Sequence, residues 1–337
     1  MTGTVSCAGT ALARVLRPLR ATPGRVRAGT PTASRRGRYD RAVNPVADEY
    51  QLLDAGAGRR LERFGALILD RPAPGTAGIP KRDPAAWPRA TARFERLPGA
   101  ARGRWEPAAA LPERWTILVD GLPMELRATP TGQVGLFPEH LAVAEWAVGQ
   151  AASARGVDDG RPAVLNLFAH TGLATLLLAR AGASVTHVDA SRPAVAWARR
   201  NAELAGLADR PVRWLVEDAA RFVAREGRRG RRYDGVVLDP PTYGHGPSGA
   251  AWRLETDLPP LLAGIRQLLE GRASFVACSV HATGVDSLAL ERVVRDELAV
   301  GDLPVAVREL ALVAVSGARL ATGWAVLVGA DLVQVPT

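Results

Sequence analysis

Three acidic residues in the second half of the sequence each follow an apolar segment that is typical of a β-strand. Asp189 ends SVTHVD, Asp218 follows VRWLVE, and Asp239 follows YDGVVL. A carboxylate can accept hydrogen bonds from both hydroxyls of a ribose or from an amino group. One such acid alone is more often a helix N-cap or a solvated loop residue. Three at the ends of successive strands favour a shared site, because ligands of open α/β sheets bind beyond the carboxyl ends of the strands.

The segment after Asp239 could also do chemistry, because it gives up regular hydrogen bonding directly after a buried strand. Pro240 and Pro241 end the strand, since neither has a backbone N–H to donate. The alternative interpretation is that these residues form an ordinary loop that ends the strand. We predict a reaction site at this point. Its candidate catalytic residues are Asp239, Pro240, Pro241 and Tyr243.

Alternating strand-like and helical segments would position these residues. Five βα units run from AVLNLF to VDSLALERVVRDELA, and two β-rich segments, PVAVRELALVAV and ATGWAVLVGA, follow them. This order predicts an α/β fold with a doubly wound, mostly parallel, seven-stranded, Rossmann-like sheet. The last two strands are predicted to form an antiparallel pair.

The segment before this sheet has a different pattern. Short strand-like runs and a hairpin signal at Asp120-Gly121 predict a small β-rich N-terminal module over residues 47–130. Within it, YQLLDAGAGRRLERFGALILDRP is predicted to be a hairpin with its turn at residues 54–58. Residues 131–337 are predicted to form the cofactor-binding domain, whose first helix lies in GLFPEHLAVAEWAVGQAAS.

The loop after the first strand of the sheet restricts the choice of cofactor. It reads LNLFAHTGLATLLLA and offers a single glycine, Gly172, so the dinucleotide motif G-x-G-x-x-G and the phosphate-loop motif are both absent. Asp189 can bind a ribose. Asp218 can accept from an adenine amino group, and Ala219 offers a backbone N–H. A ribose-bearing cofactor without a pyrophosphate fits this pattern, which predicts S-adenosylmethionine.

The same segments resemble a known family. NLFAHTGLATLLLARAGASVTHVDASRPAVAWARRNAELAGL, VEDAARFV, LDPPTYGHGPSGAAW and GLFPEH are similar to the class I methyltransferases grouped with the bacterial ribosomal RNA large-subunit cytosine-C5 methyltransferases. The resemblance covers the chain from Tyr50 onward and implies a class I methyltransferase that uses S-adenosylmethionine and acts on RNA. It implies that Asp189 binds the ribose and Asp218 the adenine, with Asp239 near the methyl group. The residues that it implies for the methionine part of the cofactor are Phe168, Ala169, Thr171 and Gly172.

The resembling enzymes also use a cysteine. Carbon 5 of cytosine is a poor nucleophile, and enzymes of this type first add a thiolate to carbon 6. Cys278 ends the fifth strand, where a cysteine of the resembling enzymes is the nucleophile, and His281 is a candidate proton acceptor or thiolate stabiliser. A small buried residue is the alternative interpretation of Cys278. A base would also need a stacking wall, for which Tyr243, Phe137 and Trp252 are candidates.

Composition limits the other interpretations. The chain of 337 residues has a net charge of +9, but residues 1–46 hold nine arginines and one acid, Asp40, so the remainder is nearly neutral. This tail is predicted to be disordered, as an over-extended reading frame, an RNA-holding arm or an organelle transit peptide. Two cysteines, no long apolar run and no metal-ligand spacing predict a cytoplasmic protein without a membrane or metal partner. The oligomeric state is not indicated.

Three functions are consistent with these patterns. The first is a methyltransferase that acts on a base of ribosomal RNA, with Cys278 as the nucleophile if the target is carbon 5 of cytosine. The second is a methyltransferase for a base nitrogen, a protein or a small molecule, in which Cys278 is incidental. The third is a non-catalytic RNA-binding assembly factor that retains the fold.

Overall fold

Five short strands form the first sheet of the computed structural model. They are β1 (Tyr50–Gly56), β2 (Arg59–Phe64), β3 (Leu67–Pro72), β4 (Ala92–Arg96) and β5 (Gly103–Glu106), hydrogen-bonded in that order. The structure describes residues 49–100, 102–154, 160–245, 251–270, 275–281, 285–301 and 303–330. The predicted Arg-rich tail at residues 1–46 therefore lies outside the described residues.

The first hairpin differs from its prediction. Its turn is confined to Ala57 and Gly58, both at positive φ, because residues 54–56 continue β1 and pair with β2. Asp54 is fully buried, and its carboxylate accepts hydrogen bonds from the Trp87 indole and from two backbone N–H groups. The sequence pattern placed the end of the strand at Asp54. Because these partners satisfy its buried carboxylate, Asp54 can instead lie within β1. A third strand, β3, follows and pairs with β2.

A second hairpin turns at Asp120-Gly121, as the sequence predicts. Its strands are β6 (Trp115–Val119) and β7 (Leu122–Leu126), and both turn residues have positive φ, as a type I′ turn requires. The Arg180 guanidinium donates to the Asp120 carbonyl at 2.5 Å. The Asn201 side chain accepts from the Glu125 N–H at 2.9 Å. These two hydrogen bonds join the hairpin to helices of the following sheet.

The larger sheet has seven strands in the order β10-β9-β8-β11-β14-β16-β15. They are β8 (Ala163–Leu167), β9 (Ser184–Asp189), β10 (Val212–Val216), β11 (Gly235–Leu238), β14 (Phe275–Val280), β15 (Val305–Val313) and β16 (Arg319–Val328). In this sheet, β16 alone runs opposite to the other six strands. The predicted seven-stranded, mostly parallel sheet is confirmed. A short hairpin that was not predicted, β12 (Tyr243–His245) and β13 (Ala251–Arg253), follows β11.

Six α-helices in the described part of the chain cover the two faces of this sheet. They are α1 (Leu141–Ser153), α2 (Leu173–Arg180), α3 (Arg192–Leu204), α4 (Ala219–Arg228), α5 (Leu254–Leu269) and α6 (Ser287–Leu298). Successive strand residues belong to opposite apolar layers: Val237 is in the same apolar cluster as Trp146 of α1, whereas Val236 is in the cluster that contains Leu262 of α5. In the described part of the chain, no helix is both long and apolar enough to cross a bilayer.

The predicted boundary between residues 130 and 131 stays a prediction. One apolar cluster contains Phe94 and Met124 from the β-rich segment and also Leu173 of α2 and Leu312 of β15. Side chains from both sides of the predicted boundary therefore share a core. That shared core holds the segment before α1 against the carboxyl edge of the sheet.

Candidate cofactor and acceptor site

A cavity of about 490 Å³ lies at the carboxyl ends of the central strands. Among the residues predicted from the sequence, Phe168, Asp189, Asp218, Ala219, Asp239, Pro240 and Pro241 line it. A second cavity of about 60 Å³ shares walls with the first and adds Ala169, Thr171 and Gly172. The structure thus brings the predicted cofactor residues together. Of the predicted catalytic residues, Tyr243 and Cys278 lie outside the walls of these two cavities.

The loop between β8 and α2 has an unusual backbone conformation. Phe168 and His170 have φ values of 55° and 48° although neither is a glycine, and Gly172 has a φ of 92°. A non-glycine residue in this region costs about 1–3 kcal/mol and persists only where its surroundings hold it. Here the His170 N–H donates to the Asp189 carboxylate at 2.8 Å. A strained loop that is held in this way is typical of a ligand-binding segment.

Thr171 attaches the same loop to the segment that precedes α1. Its hydroxyl donates to the Gly135 carbonyl at 2.6 Å, and its own carbonyl accepts from the Asn201 side chain at 2.9 Å. Gly135 has a φ of 90°, and a Cβ at this position would overlap the Trp197 ring. A glycine is therefore required for the two segments to approach each other.

We predict that Gly135→Ala lowers the free energy of unfolding by at least about 2 kcal/mol, since left-handed alanine and the overlap with Trp197 both cost energy. Chemical denaturation measures this change. Gly149→Ala is the matched control, because Gly149 lies in α1 and a Cβ there would meet no atom within 4 Å. The control should be neutral or more stable by up to about 1 kcal/mol. Equal stability of the two variants would contradict the prediction.

The two acids on the cofactor side have different hydrogen-bond partners. The carboxylate oxygens of Asp189 accept from the backbone N–H groups of His170 and Ser191, both at 2.8 Å. Each oxygen keeps a lone pair that can face a ligand. Asp218 caps α4 by accepting from the Arg221 N–H at 3.0 Å, so the N-cap interpretation of this residue is confirmed. The residue nevertheless lines the larger cavity.

Three side chains of the acceptor side meet where β11 and β14 end. His140 Nε2 lies 3.4 Å from one carboxylate oxygen of Asp239, and His281 Nε2 lies 3.4 Å from the other. The two Nε2 atoms also hydrogen-bond to each other. The Ser279 hydroxyl donates to Asp239 at 2.7 Å, and the Thr322 carbonyl accepts from His281 Nδ1 at 2.9 Å. Burial lowers the pKa of His140, so its imidazole is neutral near pH 7.

The same three side chains are also of the types that bind divalent metals. One nitrogen from each histidine and one carboxylate oxygen lie within 4.8 Å of one another. Two imidazoles and a carboxylate suit zinc or iron. The sequence spacing gave no sign of this group, because its members come from three distant segments of the chain.

Aromatic rings line the acceptor side of the cavity. The Phe137 ring lies 5.3 Å from the His170 ring and 5.5 Å from the His140 ring, measured between centroids. The Trp252 indole donates to the Pro241 carbonyl at 2.7 Å and is buried against Phe168. Phe137 and Trp252 are thus on the cavity wall, as candidate stacking residues should be.

Tyr243, the third predicted stacking residue, begins β12 and is 58% exposed. Its neighbours Thr242 and Gly244 both line the larger cavity, so the backbone of this hairpin passes along the entrance. The predicted catalytic role of Tyr243 stays a prediction. It would require the exposed ring to contact the acceptor from outside the cavity.

Cys278 lies inside β14 rather than at its end. It pairs with Leu238 across the sheet, and its side chain is completely buried in the apolar cluster that contains Leu258 and Leu262. Burial and, secondarily, the charge of Asp239 raise the pKa of the thiol to about 12. The thiol is therefore protonated at neutral pH, which is unfavourable for a nucleophile. Its predicted catalytic role has no support in this geometry.

A comparison with known proteins decides the family. A family model described as S-adenosylmethionine-dependent methyltransferase matches residues 91–301. The chain belongs to this family. The predicted enzyme class, cofactor and class I methyltransferase fold are therefore confirmed, and the interpretation as a non-catalytic assembly factor loses its basis.

Individual relatives of this methyltransferase agree with the family. The crystal structure of the S-adenosylmethionine-dependent methyltransferase from Agrobacterium tumefaciens is 34% identical, has a TM-score of 0.78, and aligns over 85% of this chain and 92% of that one. The ribosomal RNA large subunit methyltransferase K/L of Magnetococcus marinus is 28% identical over 69% of this chain but only 30% of its own length. The ribosomal RNA large subunit methyltransferase K of Neisseria meningitidis is 27% identical over 41% of this chain and 39% of its own length.

The charges of the larger cavity fit S-adenosylmethionine. Acidic residues line it, namely Asp189, Glu217, Asp218 and Asp239, and among the described residues none of its walls contains Lys or Arg. Such a cavity suits a ligand that carries a sulfonium and an ammonium group, and disfavours a pyrophosphate. Val188, Phe168 and Trp252 add apolar surface that can contact a planar base.

His140 and Ser279 belong to this methyltransferase site but were not predicted from the sequence. His140 lies in the GLFPEH segment that carried part of the resemblance, and this segment was the available signal. Ser279 gave no signal, because a serine inside a strand is ordinary. Both contact Asp239, and the structure therefore defines the acceptor side more completely than the motif Asp-Pro-Pro alone.

Proposed function

We propose that this methyltransferase modifies a nitrogen atom of a base in large-subunit ribosomal RNA. The substrate class is supported by the relatives from Magnetococcus marinus and Neisseria meningitidis, both named as large-subunit ribosomal RNA methyltransferases. The chain spans 30% and 39% of the lengths of these two relatives. The nitrogen target is supported by the site itself, as follows.

The cofactor side would be held by residues at the carboxyl ends of β8, β9 and β10. Asp189 would accept the ribose hydroxyls and Asp218 the adenine amino group, with the Ala219 N–H beside them. The loop residues Phe168, Ala169, Thr171 and Gly172 would line the methionine part. When bound, S-adenosylmethionine supplies an electrophilic methyl group, and the chain must align the acceptor with it and exclude water.

Asp239 is the observation that carries the nitrogen assignment. Its carboxylate lines both cavities, next to Pro240 and Pro241 at the entrance. A carboxylate oxygen in this position accepts a hydrogen bond from an N–H group of the acceptor and thereby orients the nitrogen lone pair. An amino nitrogen of a base needs this orientation and loses one proton on methylation, but it needs no covalent activation by a thiolate. These needs agree with the positions of Asp239, whose carboxylate lines the cavities, and of Cys278, whose thiol is buried in the core.

The aromatic wall supports a base as acceptor. A base must leave its stack to reach the methyl group, and it then needs a flat apolar or aromatic surface to replace the lost stacking. Phe137 offers such a surface, because its ring lies on the cavity wall beside His170 and His281. A protein or small-molecule acceptor remains the competing substrate class, and labelling separates the two.

We predict that Cys278→Ala retains methyl transfer within about threefold of the wild type, because the thiol contacts neither cavity. A carbon-5 mechanism requires instead that activity disappear. Single-turnover methylation of RNA measures the difference. Ser279→Ala is the matched control on the same strand, since it removes the donor to Asp239 and should slow transfer more than Cys278→Ala.

The experiment that tests the proposed function identifies the modified nucleoside. Purified protein is incubated with methyl-labelled S-adenosylmethionine and protein-free large-subunit ribosomal RNA from a strain that lacks the gene, and the RNA is then digested. An N-methylated nucleoside is the expected product. Labelled 5-methylcytidine that disappears in Cys278→Ala would overturn the nitrogen assignment. No label in any nucleoside, with cofactor binding demonstrated and intact subunits also tested, would overturn the RNA substrate.

A further inference from the structure

Three side chains with metal-binding atoms meet at the junction of the two cavities. His140 precedes α1, Asp239 follows β11, and His281 follows β14. Asp239 lines both cavities, whereas His281 lines the larger one and His140 the smaller. All three side chains are between 19% and 25% exposed, so an ion from solution can reach them. One nitrogen of each histidine and one carboxylate oxygen lie within 4.8 Å of one another, so the three can face a single ion.

The distances from the histidines to the carboxylate match those between ligands of one zinc ion. Zinc binds nitrogen and oxygen at about 2.0–2.2 Å in a tetrahedron, which separates two ligand atoms by about 3.4 Å. Nε2 of each histidine lies 3.4 Å from an oxygen of Asp239, one oxygen for each ring. The two Nε2 atoms also contact each other, and a bound ion would take the place of that contact. Binding therefore requires the two rings to turn apart while each keeps its distance to Asp239.

Neighbouring groups orient two of these ligands. The Thr322 carbonyl can only accept, so Nδ1 of His281 donates to it at 2.9 Å and Nε2 carries the lone pair. The Ser279 hydroxyl donates to the Asp239 carboxylate at 2.7 Å. Metal-binding histidines and carboxylates have outer partners of these kinds, which fix the ring tautomer and the direction of the lone pairs. These hydrogen bonds support a metal site independently of the distances between the ligands.

The charges around the group favour a cation. Glu139, in the turn before α1, is buried and has one carboxylate oxygen 3.9 Å from Nδ1 of His281. Its other oxygen is buried without a hydrogen-bond partner among the described residues. Arg60 interacts with Glu139 but forms its ion pair with Glu62. Asp239 and Glu139 thus give the site negative charge, and neither Lys nor Arg is among the described residues that line the two cavities.

We propose that His140, His281 and Asp239 bind a zinc ion whose open coordination position takes a ring nitrogen of the acceptor base. The role of the base rests on the proposed nitrogen target. Three protein ligands and one open position are the arrangement of catalytic zinc sites. Zinc is favoured over iron because methyl transfer requires no change in the oxidation state of a metal. Ligand spacing along the sequence predicts no metal, but these ligands come from three distant segments of the chain.

A ring nitrogen on the ion would place the target amino group beside the cofactor. In cytosine, adenine and guanine, the carbon that bears the amino group also bears a ring nitrogen with a lone pair, which is a ligand that zinc accepts. The open position would face the larger cavity, whose wall includes Phe137 as the stacking surface. The amino nitrogen then forms a bond to the methyl carbon, and the carbon–sulfur bond breaks with its electron pair on sulfur. The proton that the nitrogen loses passes to water.

Zinc binding can be measured without an acceptor. The protein is stripped with a chelator, dialysed and titrated with zinc chloride by calorimetry, and elemental analysis gives the stoichiometry. We expect one equivalent of zinc in the wild type and an affinity at least about 10²-fold lower in His281→Ala. His281→Cys should recover most of the affinity, because a thiolate also binds zinc. Asp296→Asn, on the exposed surface of α6, is the control and should bind like the wild type. No zinc binding, or equal binding in His281→Ala, would overturn the proposal.

Methyl transfer tests the role of the ion toward the acceptor. Single-turnover labelling of protein-free large-subunit ribosomal RNA at saturating S-adenosylmethionine is compared for zinc-loaded and stripped protein. The stripped protein should be slower by about 10²-fold, because a misplaced acceptor loses about that factor, and added zinc should restore the rate. The dissociation constant of S-adenosylhomocysteine should stay within about threefold. Equal rates with and without zinc would overturn the proposal. If no nucleoside is labelled under any condition, the proposed function fails, whereas the zinc titration still decides whether this site binds the metal.

Discussion

Replacing Asp239 with asparagine should reduce the single-turnover rate of methyl transfer by about 10²–10³-fold, the effect typical of removing one preorganised polar group from an active site. The carboxylate lines both cavities and contacts His140, His281 and Ser279. Asparagine keeps the shape but replaces one accepting oxygen by a donor and removes the charge. The acceptor then loses its orientation.

Measuring the rate at saturating S-adenosylmethionine separates slower methyl transfer from weaker cofactor binding. Asp296→Asn, on the exposed surface of α6, is the matched control, because it makes the same chemical change outside both cavities and should leave the rate within about threefold of wild type. A comparison with Ser279→Ala adds a second test. Ser279→Ala leaves the Asp239 carboxylate in place and removes one hydrogen-bond donor to it. The transfer rate should therefore fall less in Ser279→Ala than in Asp239→Asn. A wild-type rate in Asp239→Asn would contradict the assigned role.

The sequence sufficed for the features that depend on local pattern. The acids Asp189, Asp218 and Asp239 follow strands whose apolar runs are short and bounded by turns, so their place at one sheet edge follows from the order of βα units. The type I′ turn at Asp120-Gly121 is equally local. The hairpin after β11 was missed because its sequence includes three glycines and Pro247, which predict a loop.

Features that depend on register or on distant contacts were not predictable. Cys278 and Ser279 are adjacent in β14, yet one faces the apolar layer of α5 and the other bonds to Asp239. A one-residue error in the pairing register of this strand exchanges these two faces. His140 reaches Asp239 only because the turn before α1 lies against the sheet edge, and no spacing within the sequence encodes that contact.

Replacing Asp189 with alanine should raise the dissociation constant of S-adenosylmethionine by about 10²-fold, because hydrogen bonds to a charged group contribute about 1.5–3 kcal/mol each. The residue ends β9 on the cavity wall, and its oxygens hold the N–H groups of His170 and Ser191. Calorimetry with S-adenosylhomocysteine measures the change without an RNA acceptor. Asp209→Ala, in an exposed loop after α3, is the matched control and should bind like the wild type.

Two causes contribute to the expected loss of cofactor affinity in Asp189→Ala, and the variant Asp189→Asn separates them. Asp189→Ala removes the acceptor for the ribose and also releases the N–H of His170, whose φ of 48° needs outside support. Asp189→Asn keeps one carbonyl oxygen that can still hold the loop, but it cannot accept from both ribose hydroxyls. If the ribose contact dominates, both variants should bind weakly; if loop support dominates, Asp189→Asn should recover most of the affinity. Wild-type affinity in both variants would instead place the cofactor away from β9, because no cofactor bound along this wall could avoid the Asp189 carboxylate.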